Sequence, residues 1–191
     1  ALIAKCPPGQ SSKYSAEGVL AHELAAGLLS RKMQELDLLA LIGTEREIEG
    51  FGIEITDEMI EGVFLYRDVV EVDLGSFKVS AASKRAEIVK KVEQKVSAAQ
   101  SVDPGVHGTA DALIYRKGDR LIVHDFKYGK GTVVEVEENE QMATYAVAVM
   151  DSEAGWAFND VELVVVQPRA PHADGVERRW KAPVQWFKEF A

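Results

Sequence analysis

A single cysteine, Cys6, is all the thiol this 191-residue chain carries. That excludes an intramolecular disulfide framework, a cysteine-ligated zinc site and a four-cysteine iron–sulfur cluster. Long apolar runs are missing as well. No stretch of about 18 or more apolar residues exists to cross a membrane, and the first residues lack the basic, apolar, small-residue order of a signal peptide. The expectation is a soluble cytoplasmic protein with no membrane partner. Positive charge is scarce: 22 Lys and Arg stand against 31 Asp and Glu, a net charge of −9. A uniformly basic nucleic-acid surface is therefore excluded, although a local basic lining is not. What the chain does have, 47% hydrophobic and 28% charged residues, suits one domain over 1–191 with a sizeable core.

The stretch GTADALIYRKGDRLIVHDFKYGKG, Gly108 to Gly131, carries the most information. Two apolar runs, Ala112 to Tyr115 and Leu121 to Val123, flank Lys117-Gly118-Asp119, which predicts a β-hairpin. Asp111 opens the first strand in this reading and Asp125 ends the second, so antiparallel pairing brings the two acids to one end of the hairpin. Side chains alternate along a strand: Asp125 and Lys127 share a face, and Phe126 points into the core. Carboxylates brought together repel unless a cation lies between them, and such oxygen ligands favour Mg²⁺ or Mn²⁺. Taken alone, an Asp-x-Lys also fits a surface hairpin with solvated charges.

Upstream, Ser15 is the expected cap of a helix running into VLAHELAAGLLSRKMQELDLLALI, whose first turns are apolar nearly all round. His22 is a polar group in that apolar setting, and reads either as a hydrogen-bonded core histidine or as a ligand. Residues 43–52 read as a loop or short hairpin, and 57–72 as an amphipathic packing helix with acids in its first turn. Residues 73–83 are short and mixed. Lys84 to Lys91 is a basic patch that reads as a solvated helix face in preference to a DNA contact. Val92 to Val96 alternates like the first strand of a sheet, and Asp103-Pro104-Gly105 is a turn.

Downstream, KYGKG is a glycine-rich loop whose Lys127 and Lys130 suit a phosphate-tracking role. Val133 to Val136 could form a short strand. A helix follows in which Gln141 and Tyr145 lie four apart on one face, with Met142, Ala146 and Val149 toward the core. Val161 to Val166 is a buried strand, Arg169 emerges at its C-terminal end, and WKAPVQWFKEF reads as a closing helix.

This order of elements, with Gly18-x-x-x-His22, Gly108-x-x-Asp111, Asp125-x-Lys127 and Gln141-x-x-x-Tyr145 in sequence, resembles the PD-(D/E)XK nucleases, and within them the RecB-like and phage-type exonucleases. The phrases AEGVLAHELA, GTADALI, DFKYGKG and VVVQPR are similar to a phage and prophage group of that superfamily. The resemblance runs from Gly18 to about Arg169 and implies an α/β fold with a restriction-endonuclease-like αβββαβ core, a central mixed sheet flanked by helices. The motif-bearing core would span about 15–170, with a helical insertion at about 43–90.

The resemblance also implies a Mg²⁺- or Mn²⁺-dependent deoxyribonuclease without an iron–sulfur cluster, acting on linear DNA ends in phage recombination or DNA processing. Its metal would be bound by His22, Asp111, Asp125 and the backbone carbonyl of Phe126, with Lys127 as the catalytic lysine. Gln141, Tyr145 and Lys130 would bind substrate. DNA, a phage single-strand annealing protein and further copies of the chain are the expected partners, in the cytoplasm of a bacterial host. The alternatives are a catalytically silent DNA-binding or architectural protein of the same fold, or a structure-specific endonuclease.

Overall fold

In the computed structural model, residues 12–80, 87–103, 105–130, 132–154 and 157–191 are described. Cys6, the turn-rich entry through Ser11, the opening of the basic patch at 84–86, Pro104 and Gly131 lie outside them.

Helix α1 spans Lys13–Leu29 and is capped by Ser12 rather than Ser15: the Ser12 hydroxyl accepts the Ser15 N–H at 3.1 Å. Ser15 is thus a donor within the first turn, where the helix leaves N–H groups without internal partners. The helix is apolar on more than one side, as its composition predicts, burying Ala16, Leu20, Ala21, Leu24, Ala25, Leu28 and Leu29. It does not continue through residue 42. The Ser30 hydroxyl donates back to the Ala26 carbonyl at 2.5 Å, Arg31 takes a left-handed φ of 58°, and a separate short helix α2 follows at Glu35–Leu39.

Strands β1 (Glu45–Ile48) and β2 (Phe51–Glu54) form a hairpin. Its turn residues Glu49 and Gly50 both have positive φ, 51° and 84°, the requirement of the tight turn that matches strand twist. Helix α3, Asp57–Ser80, is longer than the 57–72 expected. Its last turns bury Asp73 and Phe77, an anchoring by tertiary packing that the local pattern does not carry. The described residues of the 43–90 segment are accordingly a hairpin, a long helix and the start of a strand, rather than helix alone.

Five strands make the main sheet in the order β3 (Val89–Ser97), β4 (His107–Tyr115), β5 (Arg120–Phe126), β6 (Asp160–Val166) and β7 (Glu177–Pro183). Neighbours are antiparallel except β5 and β6, which are parallel and joined through α4 (Glu140–Val149). Val89 to Lys91 therefore begin β3 instead of lying on a helix: Lys90 reaches Glu71 Oε1 at 2.5 Å and the Leu29 carbonyl at 3.2 Å. Val133 to Val136 is not a strand. Its backbone is satisfied by side chains, the Val134 N–H donating to Gln167 Oε1 at 3.0 Å and its carbonyl accepting from Arg178 at 2.9 Å. The tail divides, with Trp180 to Pro183 in β7, which covers the far side of β6, and only Val184–Phe190 forming the closing helix α5.

The architecture is α/β, a mixed five-stranded sheet flanked by helices. Ala112, Ile114, Ile122, Phe126, Val164 and Val166 pack toward α1 and α3. Leu113, Leu121, Val123, Leu163 and Val165 pack toward α4 and α5. Fully burying each larger aliphatic side chain is worth ~1.5–3 kcal/mol, so both faces hold the sheet in register. No described helix is long and apolar enough to cross a membrane.

Candidate metal centre

Asp111 stands where β4 loses its pairing on both sides. Toward β3 the register joins Val92 to Ala112 and Gln94 to Ala110, omitting the intervening pair of Glu93 and Asp111. Toward β5 it joins Ala112 to His124 and stops before Asp111 and Asp125. Asp111 thus lies within β4 rather than opening it, because the strand extends back to His107, yet the expected opposition to Asp125 holds in register. Glu93 has φ 49°, a left-handed conformation that a strand residue other than glycine seldom adopts. Strain of this kind is held in place by the surrounding structure and gathers at functional sites.

The freed Asp111 carboxylate turns to other partners. Its Oδ2 accepts the Phe126 N–H at 2.7 Å, and its Oδ1 lies 3.3 Å from His22 Nδ1. His22 projects from α1, and its ring sits 5.5 Å from that of Phe126. Asp125, the residue before Phe126 in β5, accepts from Lys127 Nζ through Oδ1 at 2.9 Å. Lys127 rejoins the sheet by donating its backbone N–H to the Val166 carbonyl at 2.9 Å.

The charge states follow from this crowding. Burial pushes the Asp125 carboxyl above its ordinary range, with Asp111 adding to the rise and Lys127 opposing it. Burial alone would lower His22, but its hydrogen bond to Asp111 and the charges of Asp111 and Asp125 outweigh that and hold it above the usual histidine value. Burial would also lower Lys127, and Asp125 more than restores it. Glu93 is raised by burial and by Asp111.

These residues fit a divalent cation. His22, Glu93 and Asp111 offer ligand atoms all within 4.8 Å of one another. Asp125 Oδ2 is buried without a hydrogen-bond partner, and a buried charged oxygen left so costs more than the ~1–3 kcal/mol of a neutral one. A hard cation beside carboxylates and one imidazole supplies what that oxygen lacks.

Sequence reasoning missed two residues here. Glu93 lay unmarked in the alternating run of β3; the lapse in pairing and its positive φ set it beside His22 and Asp111, where it stays exposed. Tyr66 lies on the core side of α3, stacked on Phe126 with ring centroids 4.8 Å apart. Its buried hydroxyl also has no partner, and burial followed by the charges of Asp111, Asp125 and Glu93 holds it well above the usual tyrosine value.

The other expected substrate residues divide. Gln141 Nε2 donates to the Tyr145 hydroxyl at 2.8 Å, and Tyr145 packs so closely on Gly108 that a Cβ there would lie 2.6 Å from its ring. Gly108 is thus required by the approach of α4 to β4, near the acids. Lys130 is drawn to Glu58 at the start of α3, at 3.5 Å. Arg169, at the end of β6 as expected, is folded inward between Glu17 at 2.9 Å and Glu58 at 3.4 Å, over the Tyr128 ring. With the sheet, the acidic centre and its lysine so arranged, comparison with known families gives one match covering residues 1–191, and the chain belongs to that family, described as "Protein of unknown function (DUF2800)".

Proposed function

We propose that the protein is a Mg²⁺- or Mn²⁺-dependent DNA nuclease of the PD-(D/E)XK type, acting as an exonuclease. The observation that carries this reading is the break in β4 pairing at Asp111. It sets two acids, an imidazole and a lysine around a buried carboxylate oxygen that has no partner. A silent scaffold has no use for so costly an arrangement.

Asp111, Asp125, His22 and Glu93 would hold the ion, and the Phe126 carbonyl lies between the acid and the lysine to join them. When bound, the ion would supply Lewis-acid polarisation of the scissile phosphate and acidify an attacking water. The water oxygen bonds to phosphorus as the phosphorus–oxygen ester bond breaks. One product keeps the phosphate, and the other leaves as a hydroxyl after taking up a proton. Lys127 is held within reach by Asp125 and is released onto the charge that develops on the phosphate. Gln141 and Tyr145, fixed to each other on α4, would hold the DNA backbone beside β4. Lys130 would exchange Glu58 for a phosphate.

The test is digestion of end-labelled linear duplex DNA with Mn²⁺, with EDTA, and with Asp111→Asn in Mn²⁺. Cleavage in the first alone is expected. Binding without cleavage by the wild-type chain would favour the silent DNA-binding alternative.

A further inference from the structure

Two buried polar side chains, Gln167 just past β6 and Arg178 in β7, take no part in the chemistry above, although they are only 2% and 3% exposed. Both reach the connection from β5 to α4. The Gln167 amide binds that segment as the backbone of a neighbouring strand would: Nε2 donates to the Thr132 carbonyl at 2.8 Å, and Oε1 accepts the Val134 N–H at 3.0 Å. Val133 to Val136 therefore has the apolar pattern of a strand, while a single side chain makes the bonds of its partner.

Arg178 locks the amide in that orientation. Its Nη2 donates to Gln167 Oε1 at 2.8 Å and to the Val134 carbonyl at 2.9 Å, and its Nη1 donates to the Gly175 carbonyl at 3.0 Å. Two donors converge on Oε1, so a flipped amide would set N–H against N–H. A guanidinium buried among neutral oxygens is costly, and Arg178 Nε has no hydrogen-bond partner. Apolar side chains of similar volume would fill this space at less cost, so the pair serves the placement of the segment it holds.

That segment lies between two sets of candidate substrate residues. Lys130 stands two residues before Thr132. On the other side the Glu135 carbonyl accepts from Asn139 Nδ2 at 2.7 Å, and Asn139 caps α4 by accepting the Met142 N–H at 3.0 Å. Gln141 stands two residues beyond that cap. The remaining parts of the site are held elsewhere: Lys127 by Asp125 and the Val166 carbonyl, and His22, Glu93, Asp111 and Asp125 by α1, β3, β4 and β5. Resting on the nuclease reading above, we propose that Gln167 and Arg178 are positioning residues, a buried clamp on residues 132–139 that sets Lys130 and the Gln141–Tyr145 pair toward the substrate backbone. The clamp then governs substrate binding and leaves the cation and Lys127 untouched.

The test uses the full chain. Gln167→Met keeps the volume and removes every hydrogen bond of the amide. Amides of 132–139 should then exchange with deuterium at least tenfold faster, while those of β4 and β5 keep wild-type rates. KM for linear duplex DNA in Mn²⁺ should rise at least tenfold, with kcat and calorimetric Mn²⁺ affinity within about twofold of wild type. Labelled duplex in Ca²⁺ should bind at least tenfold more weakly, by fluorescence anisotropy. Gln167→Glu keeps an oxygen for Val134 and Arg178 and loses only the donor to Thr132, so its KM should lie between the two; it carries the same readouts if Gln167→Met does not fold. Wild-type KM and DNA affinity in a variant whose 132–139 amides exchange faster would overturn the proposal and make the pair structural only. A fall in kcat at unchanged KM would overturn it too. Absence of cleavage by the wild-type chain, with the tenfold loss of DNA binding in Gln167→Met, would overturn the nuclease reading and leave the clamp positioning a DNA-binding surface.

Discussion

Asp111 accepts the backbone N–H of Phe126 at 2.7 Å, replacing with a side chain the ladder bond that β4 and β5 no longer make at this point. The same carboxylate is therefore structural and chemical at once, and substitutions should separate the two roles. Asp111→Ala leaves the Phe126 amide without its acceptor, at a cost of ~1–3 kcal/mol. Asp111→Asn keeps an oxygen for that amide and should retain most of the stability while losing Mn²⁺ binding and cleavage. Urea unfolding beside calorimetric titration separates these effects, and wild-type Mn²⁺ affinity in Asp111→Asn would remove Asp111 from the cation site.

Lys127 is expected to act on rate rather than on metal. It occupies Asp125 Oδ1, so Lys127→Ala frees an oxygen and removes a nearby positive charge. Mn²⁺ affinity should hold or rise, and turnover should fall by a few orders of magnitude. A parallel collapse of metal affinity in calorimetry would make the lysine structural.

The hairpin, the buried β6 strand, the α4 helix and the nearness of Asp111, Asp125 and Lys127 were legible because each rests on local alternation or spacing. Glu93 was not, since its place beside His22 and Asp111 depends on a lapse of pairing that no local pattern announces. The same holds for α3. Residues 73–80 look mixed because Asp73 serves His124 and Arg179 from a distant strand, and Phe77 carries Arg120 over its ring at 4.3 Å. Strand β7 was hidden because Trp180 to Pro183 runs straight on into the aromatic stretch of α5, until β6 supplies the edge it pairs with. Distant partners decide these segments.

Tyr66→Phe tests the unpartnered hydroxyl beneath the site. Without the cation the hydroxyl is a buried polar group with no partner, so its removal should be neutral or stabilising by about 1 kcal/mol. Denaturant unfolding in EDTA decides this. Clear destabilisation would mean that the hydroxyl is satisfied in solution.

Asp73 should govern acid stability. Burial would raise its pKa, but hydrogen bonds and charge from His124 and Arg179 outweigh that and set it below the ordinary aspartate value near 3.8. A depressed carboxyl stabilises the fold above its unfolded value and loses that contribution as pH falls through the folded one. Asp73→Ala, which leaves the buried His124 unpaired at 2.7 Å from where the acid stood, should cost ~3–5 kcal/mol at pH 7. The difference from wild type should shrink as pH drops below about 3.8. A constant difference across that range would contradict the assignment.

His22 joins the helix to the acids, and its protonation should set the pH dependence of metal binding. Its pKa is raised, so in the cation-free protein it carries a proton to a higher pH than an ordinary histidine, and the charged form stabilises the fold through Asp111. The sign follows: that stabilisation is full below the unfolded value near 6.5 and is lost as pH rises through the folded one. A cation needs the neutral ring, so binding expels the proton, and Mn²⁺ affinity should weaken as pH falls from above the usual histidine range. His22→Ala should flatten this dependence and weaken binding while the fold persists. His22→Gln tests it further, since it keeps a polar side chain at that position and removes the titration. Calorimetry of Mn²⁺ binding in buffers of differing ionisation enthalpy reads the expelled proton directly. If the wild type releases no more protons below pH 7 than His22→Gln, the ring is a packing residue and the cation is held by carboxylates alone.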